Sequence, residues 1–539
     1  MARNISLKLL VFVLFSLTIA CSAEWRSYNG YGNNLKDPTL GMANTTFLRS
    51  VKPSRYNAFG YLNLSIPSAR YVSNNVMDQP FEIASHEGLT DLFNMFGQFL
   101  IHNMAFAQPD TNTPWPITVP ECDEYFDPWC SGNQTMSYFR TRVALVDCAK
   151  GNTNPQEDGR CYEQINALSS FIDANPVYGS TKETADLLRS FSGGQLRVSK
   201  DPHGDMPPRG IKGVTIDNDA RRVPIDQLFT VGEKRGNENP GLMSIHTIFL
   251  REHNRLAKKF SGLNSSMTDE EIYQKTRSCI IEQVQALTYN EYLPMILGHK
   301  MPDYKGYDEN ADPRISNEFT TVAFRFGHSE VGPVIEMGNR DGSFGTPLPI
   351  RDSYFNPNAL SDGIEPIIRG LAFKVEQNVD PYMISDLRNF LFGKPGQGGF
   401  DLACRNIQRE RDHAIPSYNK YRSLLGLPSV KRWSDISREP IIQSNLRYTY
   451  DNKLDNVDLF VGGLAENHVP GGCVGQTFYT MILEQFTRSR SADRFWYERE
   501  NMKEINQQCE RTTFRELIRR NTNDIGPIQN NVFKVPTDL

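Results

Sequence analysis

Between Ser85 and Phe106 the chain reads SHEGLTDLFNMFGQFLIHNMAF. Leu89, Leu92, Phe93, Phe96 and Leu100 recur at intervals of three and four, which predicts a helix with one apolar stripe. Gln98 and His102 lie one turn apart on a different face, so both side chains can enter one interior cavity. This stretch therefore belongs at the centre of a fold, as a helix packed on one side and bordering polar space on another. A lone polar pair of this kind is more often an interior hydrogen bond or a solvated face than a piece of chemistry. Three distant segments decide between the two.

The ends of the chain bound its class. Arg3 and Lys8 precede an apolar run, Leu9–Ala23, that closes on the small residues Cys21 and Ala23. This pattern predicts a secretory signal peptide over 1–23, cut before Glu24. The run falls short of the ~20 residues that span a bilayer, and no second long apolar run follows, so no membrane anchor is expected. Size alone would suggest about three domains. No linker, repeat or charge block divides residues 24–539, which predicts one large domain or tightly fused lobes. A net charge of −5 points to neither nucleic acid nor acidic substrates.

Nine cysteines occur, one of them in the leader, and an even set remains for an oxidising compartment. Cys122 with Cys130 and Cys148 with Cys161 each flank a Pro/Gly/Asp-rich loop, where local disulfides are expected. Cys279, Cys404, Cys473 and Cys509 cannot be paired from sequence. Cys279, on an apolar helix, reads as a buried free thiol. Sequons at Asn44, Asn63, Asn133 and Asn264 fit surface loops of a secreted glycoprotein.

The first sixty residues after the leader, rich in Asn, Gly, Pro and Tyr, read as an irregular wrap, and Gln108–Gly159 reads as loops. From Pro240 to Phe260 a helix is predicted, with Asn239 as N-cap, Pro240 at the first position and Leu242, Ile245, Phe249 and Leu256 as its stripe. Further helices are expected over Thr268–Leu293 and Ser316–Ser329. Strand signals are few, so the chain reads as mainly α.

Three segments add chemistry to the Gln98–His102 pair. In LSSFIDANPVYGS, Ser169, Asp173 and Asn175 present oxygens at alternate positions, and the Phe171 carbonyl joins them in an extended loop. Hard cations such as calcium favour such an arc. In GEKRGNENPG, Arg235 and Glu238 stand just before the second helix. Downstream, REHNR at 251–255 lacks the HExxH spacing, and Arg251, Glu252 and Arg255 read as buried helix ion pairs. In FTTVAFRFGHSEVG, His328 ends an apolar run with Arg325 one turn earlier, and DLACRNIQ carries Asn406.

Together, in this order, the segments resemble the animal-type haem peroxidases of the peroxidase–cyclooxygenase superfamily, with the peroxinectin-like secreted members nearest. The resemblance runs from about Trp25 to Val535 and includes GNNLKDPTLGMANTTF and the late SADRFWYE. It implies a mainly α fold with haem between core helices and little β structure. It also implies peroxidase activity, in which hydrogen peroxide oxidises haem b to a ferryl intermediate and small electron donors (halides, thiocyanate, phenols) reduce it.

Residue by residue, the resemblance makes His102 the distal histidine, Gln98 the distal glutamine and Arg235 the distal arginine. His328 falls on the proximal iron ligand, Asn406 on its hydrogen-bond partner, and Arg325 lies beside both at the cofactor. Glu238 falls on a carboxylate that esterifies a haem methyl in relatives. Ser169, Phe171, Asp173 and Asn175, with Asn103, fall on a calcium site. The chemistry accounts for the residue types. A neutral imidazole near open iron serves as base and then acid in peroxide cleavage, and a guanidinium stabilises the developing charge. A second-shell acceptor makes the proximal imidazole a stronger donor.

Three departures from the family pattern matter. Ile101 stands where a carboxylate usually precedes the distal histidine, so one ester link is missing. Asn103 stands for an aspartate, which leaves Asp173 as the sole carboxylate of the calcium set. Asn239 stands where a few relatives bond haem through methionine sulfur. Only Glu238 is left for a covalent link. A cysteine pair common in the family is replaced by Leu425 and Thr480.

Two other readings are weighed. Fatty-acid dioxygenases of the superfamily carry a tyrosine three residues before the proximal histidine; here that position is Arg325, and no membrane-binding module precedes the domain. An extracellular adhesion ligand with a cell-surface partner is the other, since peroxinectin-like proteins serve adhesion. No RGD or KGD occurs, and the catalytic residues are intact.

Overall fold

Helix α1 (Ala69–Val76) is capped by the Ser68 hydroxyl, and helix α2 (Asp91–Met104) follows as the central element. A computed structural model describes residues 24–51, 66–147 and 160–536. The predicted leader, Asn63 and Cys148 lie outside the described residues. Helix α2 begins later than its apolar spacing suggests. Leu89 and Thr90 are extended and bridge Lys534 and Val375, yet Leu89 stays buried in line with the stripe. Leu92, Phe93, Phe96 and Leu100 are fully buried, and Phe93 stacks on Tyr292 at 4.5 Å between ring centroids. Gly97 makes that approach possible, because a Cβ there would lie 2.3 Å from the Tyr292 hydroxyl oxygen.

Helix α3 (Pro240–Leu263) starts as predicted, with the Asn239 side chain accepting from the Leu242 N–H and proline at the first turn. Its Leu242, Ile245, Phe249 and Leu256 are buried, and Phe249 stacks on Phe99 of α2 at 5.0 Å. Of the predicted ion pairs, Arg255 meets the fully buried Glu252 at 2.9 Å, while Arg251 reaches Glu365 at 3.4 Å instead. Helix α4 (Asp269–Leu287) opens on a Thr268–Glu271 capping box. It widens into a π turn at Thr288–Tyr292 before a short helix, Leu293–Leu297. Pro294 offers no N–H to the carbonyl one turn back, and the wider turn absorbs the gap.

The predicted helix over Ser316–Ser329 is broken. Helix α5 (Asn317–Thr321) stops at Val322, whose φ of −124° and ψ of −74° are not helical, and a 3-10 turn covers Ala323–His328. The β-branched run Thr320-Thr321-Val322 weakens the helix. Residues i and i+3 eclipse in a 3-10 turn, so Arg325 and His328 share one edge. Helix α6 (Leu402–Asp412) carries Asn406 and is capped by Asp401 through the Cys404 N–H at 2.8 Å. Arg70 of α1, itself buried, pairs with Asp401 at 2.6 Å and with Asp123 at 2.7 Å, which ties α6 to α1.

Strands are short, as expected. Val143–Asp147 pairs antiparallel with Arg160–Asn166, in the register Val143 to Gln164, and Thr45–Thr46 adds to the other edge. Asn166 holds the end of α2, donating to the Met104 carbonyl at 2.9 Å and accepting from the Phe106 N–H at 2.9 Å. Cys122 and Cys130 form the expected disulfide, and Cys161 is disulfide-bonded. The free-thiol reading of Cys279 is corrected: it bonds Cys509, which the chain's last third carries back over α4 across 230 residues of sequence. Cys404 and Cys473 are free and buried. Asn44, Asn133 and Asn264 are exposed. No helix among the described residues is long and apolar enough to cross a membrane.

Candidate active site

Helix α2 and the start of α3 form one wall of a cavity with about 1010 Å³ of atom-free space. Gln98, Ile101, His102, Glu238 and Asn239 all line it. Gln98 is held at both ends of its amide: Nε2 donates to Glu238 Oε2 at 3.0 Å, and Oε1 accepts from Asn239 Nδ2 at 2.8 Å. His102 Nε2 lies 3.8 Å from the same Glu238 oxygen, and its Nδ1 is buried without a partner among the described residues. Burial first, and then the positive charge of Arg235, hold His102 well below the usual histidine range. The imidazole is neutral at pH 7. Burial pushes the Glu238 carboxyl up to about 7, against the pull of Arg235.

Arg235 lies at the end of α2, near enough to His102 for its charge to be felt there. Its guanidinium donates to both Glu233 oxygens, at 2.7 and 3.0 Å, to the Ala105 carbonyl at 3.2 Å, and lies over the Phe106 ring at 4.7 Å. Burial opposes its charge, but Glu233, with Glu238 and Asp217, together hold it above the ordinary arginine value.

The opposite wall is the 3-10 turn. His328 Nδ1 lies 2.7 Å from Asn406 Nδ2, and Asn406 Oδ1 accepts from Arg325 Nη1 at 2.7 Å. Burial, then Arg325, depress His328 to about 3, so this ring too is neutral. Between the walls Phe324, Phe326, Val331, Ile350 and Leu391 give a largely apolar lining, joined by Asn94, Tyr292, Glu330, Tyr354 and Arg405. Two neutral imidazoles thus line one largely apolar cavity, with the Arg405 guanidinium also in its lining. These are residue types that suit a planar, apolar, carboxylate-bearing macrocycle with an iron centre.

A second cluster sits directly behind His102. Asn103 Nδ2 donates to the Phe171 carbonyl at 2.7 Å; Ser169 Oγ donates to Asp173, and Asn175 Nδ2 to the Asn103 carbonyl. Asn103 Oδ1 and Asn175 Oδ1 are buried with no partner among the described residues. Burial raises Asp173 to about 6, with Arg26 the chief opposing charge. All five predicted oxygen-bearing residues therefore converge, with two orphaned oxygens that suit a cation.

The structure brings together every predicted site residue in two adjacent groups. Sequence reasoning missed two supports and one lining residue. Glu233 fixes Arg235, and its only signal was its place two residues earlier. Arg405 adjoins Asn406 in the same motif but gave no sign of reaching the cavity. Asn239 was read as a cap, and its second bond, to Gln98, has no sequence signature.

This constellation on a mainly helical scaffold defines a peroxidase class, and comparison with known proteins agrees. The family model for animal haem peroxidases matches residues 25–533. The chain belongs to that family and is a peroxidase, for which haem is the implied cofactor and hydrogen peroxide and an electron donor the implied substrates. It is 55% identical to Peroxinectin A of Dictyostelium discoideum over 97% of this chain and 98% of that protein. It is 34% identical to lactoperoxidase of Mesocricetus auratus over 89% of this chain and 73% of that one. The solved structure of Peroxidase A from Dictyostelium discoideum superposes with a TM-score of 0.93 at 56% identity, covering 95% of this chain and 100% of that chain. Fatty acid α-dioxygenase of Arabidopsis thaliana, at 18% identity and a TM-score of 0.78, covering 95% of this chain and 83% of that one, shares the fold alone.

Proposed function

We propose that the cavity holds haem b between His102 and His328 and that the protein is a secreted peroxidase oxidising iodide, thiocyanate, bromide and phenols, with chloride a poor donor. The observation that carries this reading is the pair of neutral imidazoles on opposite walls of one apolar cavity. When bound, haem would supply the redox chemistry that couples reduction of peroxide to oxidation of a donor.

The chain's own residues do the rest. His102, neutral, accepts the proton of incoming peroxide and returns it to the departing oxygen. Arg235, immobilised by Glu233, supplies positive charge beside the breaking bond without having to reorient. Gln98, held by Glu238 and Asn239, orients the small molecule on the same face. His328 holds the iron through Nε2, which requires its proton on Nδ1 and an acceptor there. Asn406 would supply that acceptor with its amide oxygen turned to the ring. Glu238 forms a single ester to the haem, since Ile101 and Asn239 offer no competing link.

Asn103, Ser169, Phe171, Asp173 and Asn175 bind calcium with one carboxylate, more weakly than a site with two. The predicted leader, the exposed sequons and the two disulfides Cys122–Cys130 and Cys279–Cys509 support an oxidising, extracellular location.

The test is His102→Ala. It should keep haem bound and slow the reaction with peroxide by orders of magnitude. Near-normal rates would remove His102 from the mechanism.

A further inference from the structure

The haem cavity does not account for a cleft on the far side of the π turn. Tyr289, Tyr304, Tyr497, Lys300, Arg490 and Arg499 line it, around about 1550 Å³ of atom-free space. Trp496 lies behind it, 1% exposed. Its ring centroid is 4.6 Å from Tyr289, 4.9 Å from Tyr497 and 6.3 Å from Tyr304. Inward from Tyr289 the series continues to Phe486 at 5.8 Å and from Phe486 to Phe324 at 5.6 Å. Phe324 is a wall of the haem cavity. Rings in contact thus run without a break from that cavity to the cleft.

We propose that this series carries oxidising equivalents from the haem to Trp496, and that the cleft is a second oxidation site, for phenolic donors too bulky to enter the haem cavity. The inference rests on the haem reading above. The phenylalanines are too hard to oxidise to hold a charge and act as conduit. The stopping place follows from the neighbours of each remaining ring. Tyr289 and Tyr304 lie near the Arg490 guanidinium, at 5.6 and 5.9 Å, and Tyr497 near Arg511, at 5.7 Å. A cation beside a ring opposes removal of an electron from it. The Tyr289 hydroxyl, moreover, donates at 2.6 Å to the Phe486 carbonyl, which cannot keep a proton. Trp496 is placed the other way: its Nε1–H donates to Glu498 Oε2 at 2.9 Å. A carboxylate there favours loss of the electron and accepts the indole proton.

One electron passes from Trp496 to the peroxide-oxidised haem, and the Nε1 proton moves to Glu498, leaving a neutral indolyl radical. A phenol in the cleft then gives one electron to the indole and its proton to Glu498, while Glu498 returns the first proton to Nε1. The phenol leaves as a phenoxyl radical and Trp496 is restored; Glu498, left holding the phenol's proton, releases it to the solvent of the cleft that it lines.

The test uses the haem-loaded protein mixed with hydrogen peroxide and a nitroso spin trap, followed by peptide mapping of adducts by mass spectrometry. Oxidation of tyramine grafted to a long polyethylene glycol is measured in parallel, with iodide as control for intact haem chemistry. The expected result is an adduct on the peptide carrying Trp496, lost in Trp496→Phe together with oxidation of the grafted tyramine. Glu498→Gln keeps an acceptor for the indole N–H but provides no base, and should show the same two losses; it decides the matter if Trp496→Phe fails to fold. Adducts at unrelated sites with unchanged yield, or grafted tyramine oxidised at the wild-type rate by Glu498→Gln, would overturn the proposal. A wild-type protein that binds no haem and oxidises no iodide would instead overturn the haem reading, and this inference with it.

Discussion

Asn239 Nδ2 donates to Gln98 Oε1 at 2.8 Å while Asn239 Oδ1 accepts from the Leu242 N–H at 2.8 Å. One side chain therefore starts helix α3 and aims the glutamine of helix α2. The two duties separate by mutation. Asn239→Ala loses both and should cost about 1 kcal/mol of stability for the cap. Asn239→Asp keeps the cap but sets an acceptor against Gln98 Oε1, so stability should hold while the reaction with peroxide slows several-fold. Thermal melts and stopped-flow rates check this. Equal peroxide rates in wild type and both variants would mean that Gln98 needs no holder.

The depressed pKa of His102 sets a pH dependence. Its folded-state value lies well below the ordinary 6.5, chiefly through burial, so the base form persists as pH falls from 7 into the acid range. The second-order rate with peroxide should stay flat through pH 6.5. Below 6.5 the unfolded chain binds a proton that the folded site refuses, so stability fully present at pH 7 declines on acidification. A rate that halves at pH 6.5 would show an ordinary histidine at this position.

Sequence periodicity located α2, α3 and the start of α4 because their buried stripes are long and regular. It failed at Ser316–Ser329, where aromatic packing of Phe319 on Phe324 at 4.9 Å overrides a continuous helical pattern and sets the turn that presents His328. Cys279 misled because an apolar helix face suits a thiol and a disulfide equally, and its partner lies far along the chain. Gln98, His102, Arg235 and His328 were legible through motif order. Glu233, which holds Arg235, was not, because a side chain that positions another leaves no spacing of its own; nor was Arg405 as a lining residue of the cavity.

Calcium binding is expected to be weak and tunable. Dialysis against a chelator should remove the ion from wild type, and added calcium should raise the melting temperature. Asn103→Asp restores a second carboxylate and should retain calcium through the same dialysis. A full equivalent held tightly by wild type, or no gain from Asn103→Asp, would contradict the charge argument.

Glu238 is the one cavity residue read as linking covalently to haem. After turnover with peroxide, acidified organic extraction should leave part of the haem on a peptide containing Glu238, and Glu238→Gln should release all of it. Haem on another peptide, or two links per haem, would contradict the assignment. A single ester without an electron-withdrawing sulfonium also predicts poor chloride oxidation at neutral pH.

The visible absorption spectrum of the purified protein, before and after hydrogen peroxide, tests the central claim most directly. Wild type should show the intense band of a histidine-ligated haem and shift rapidly on adding peroxide. His328→Ala should lose that band or displace it strongly. A wild-type protein without the band after haem is supplied, or an unchanged spectrum in His328→Ala, would contradict the account.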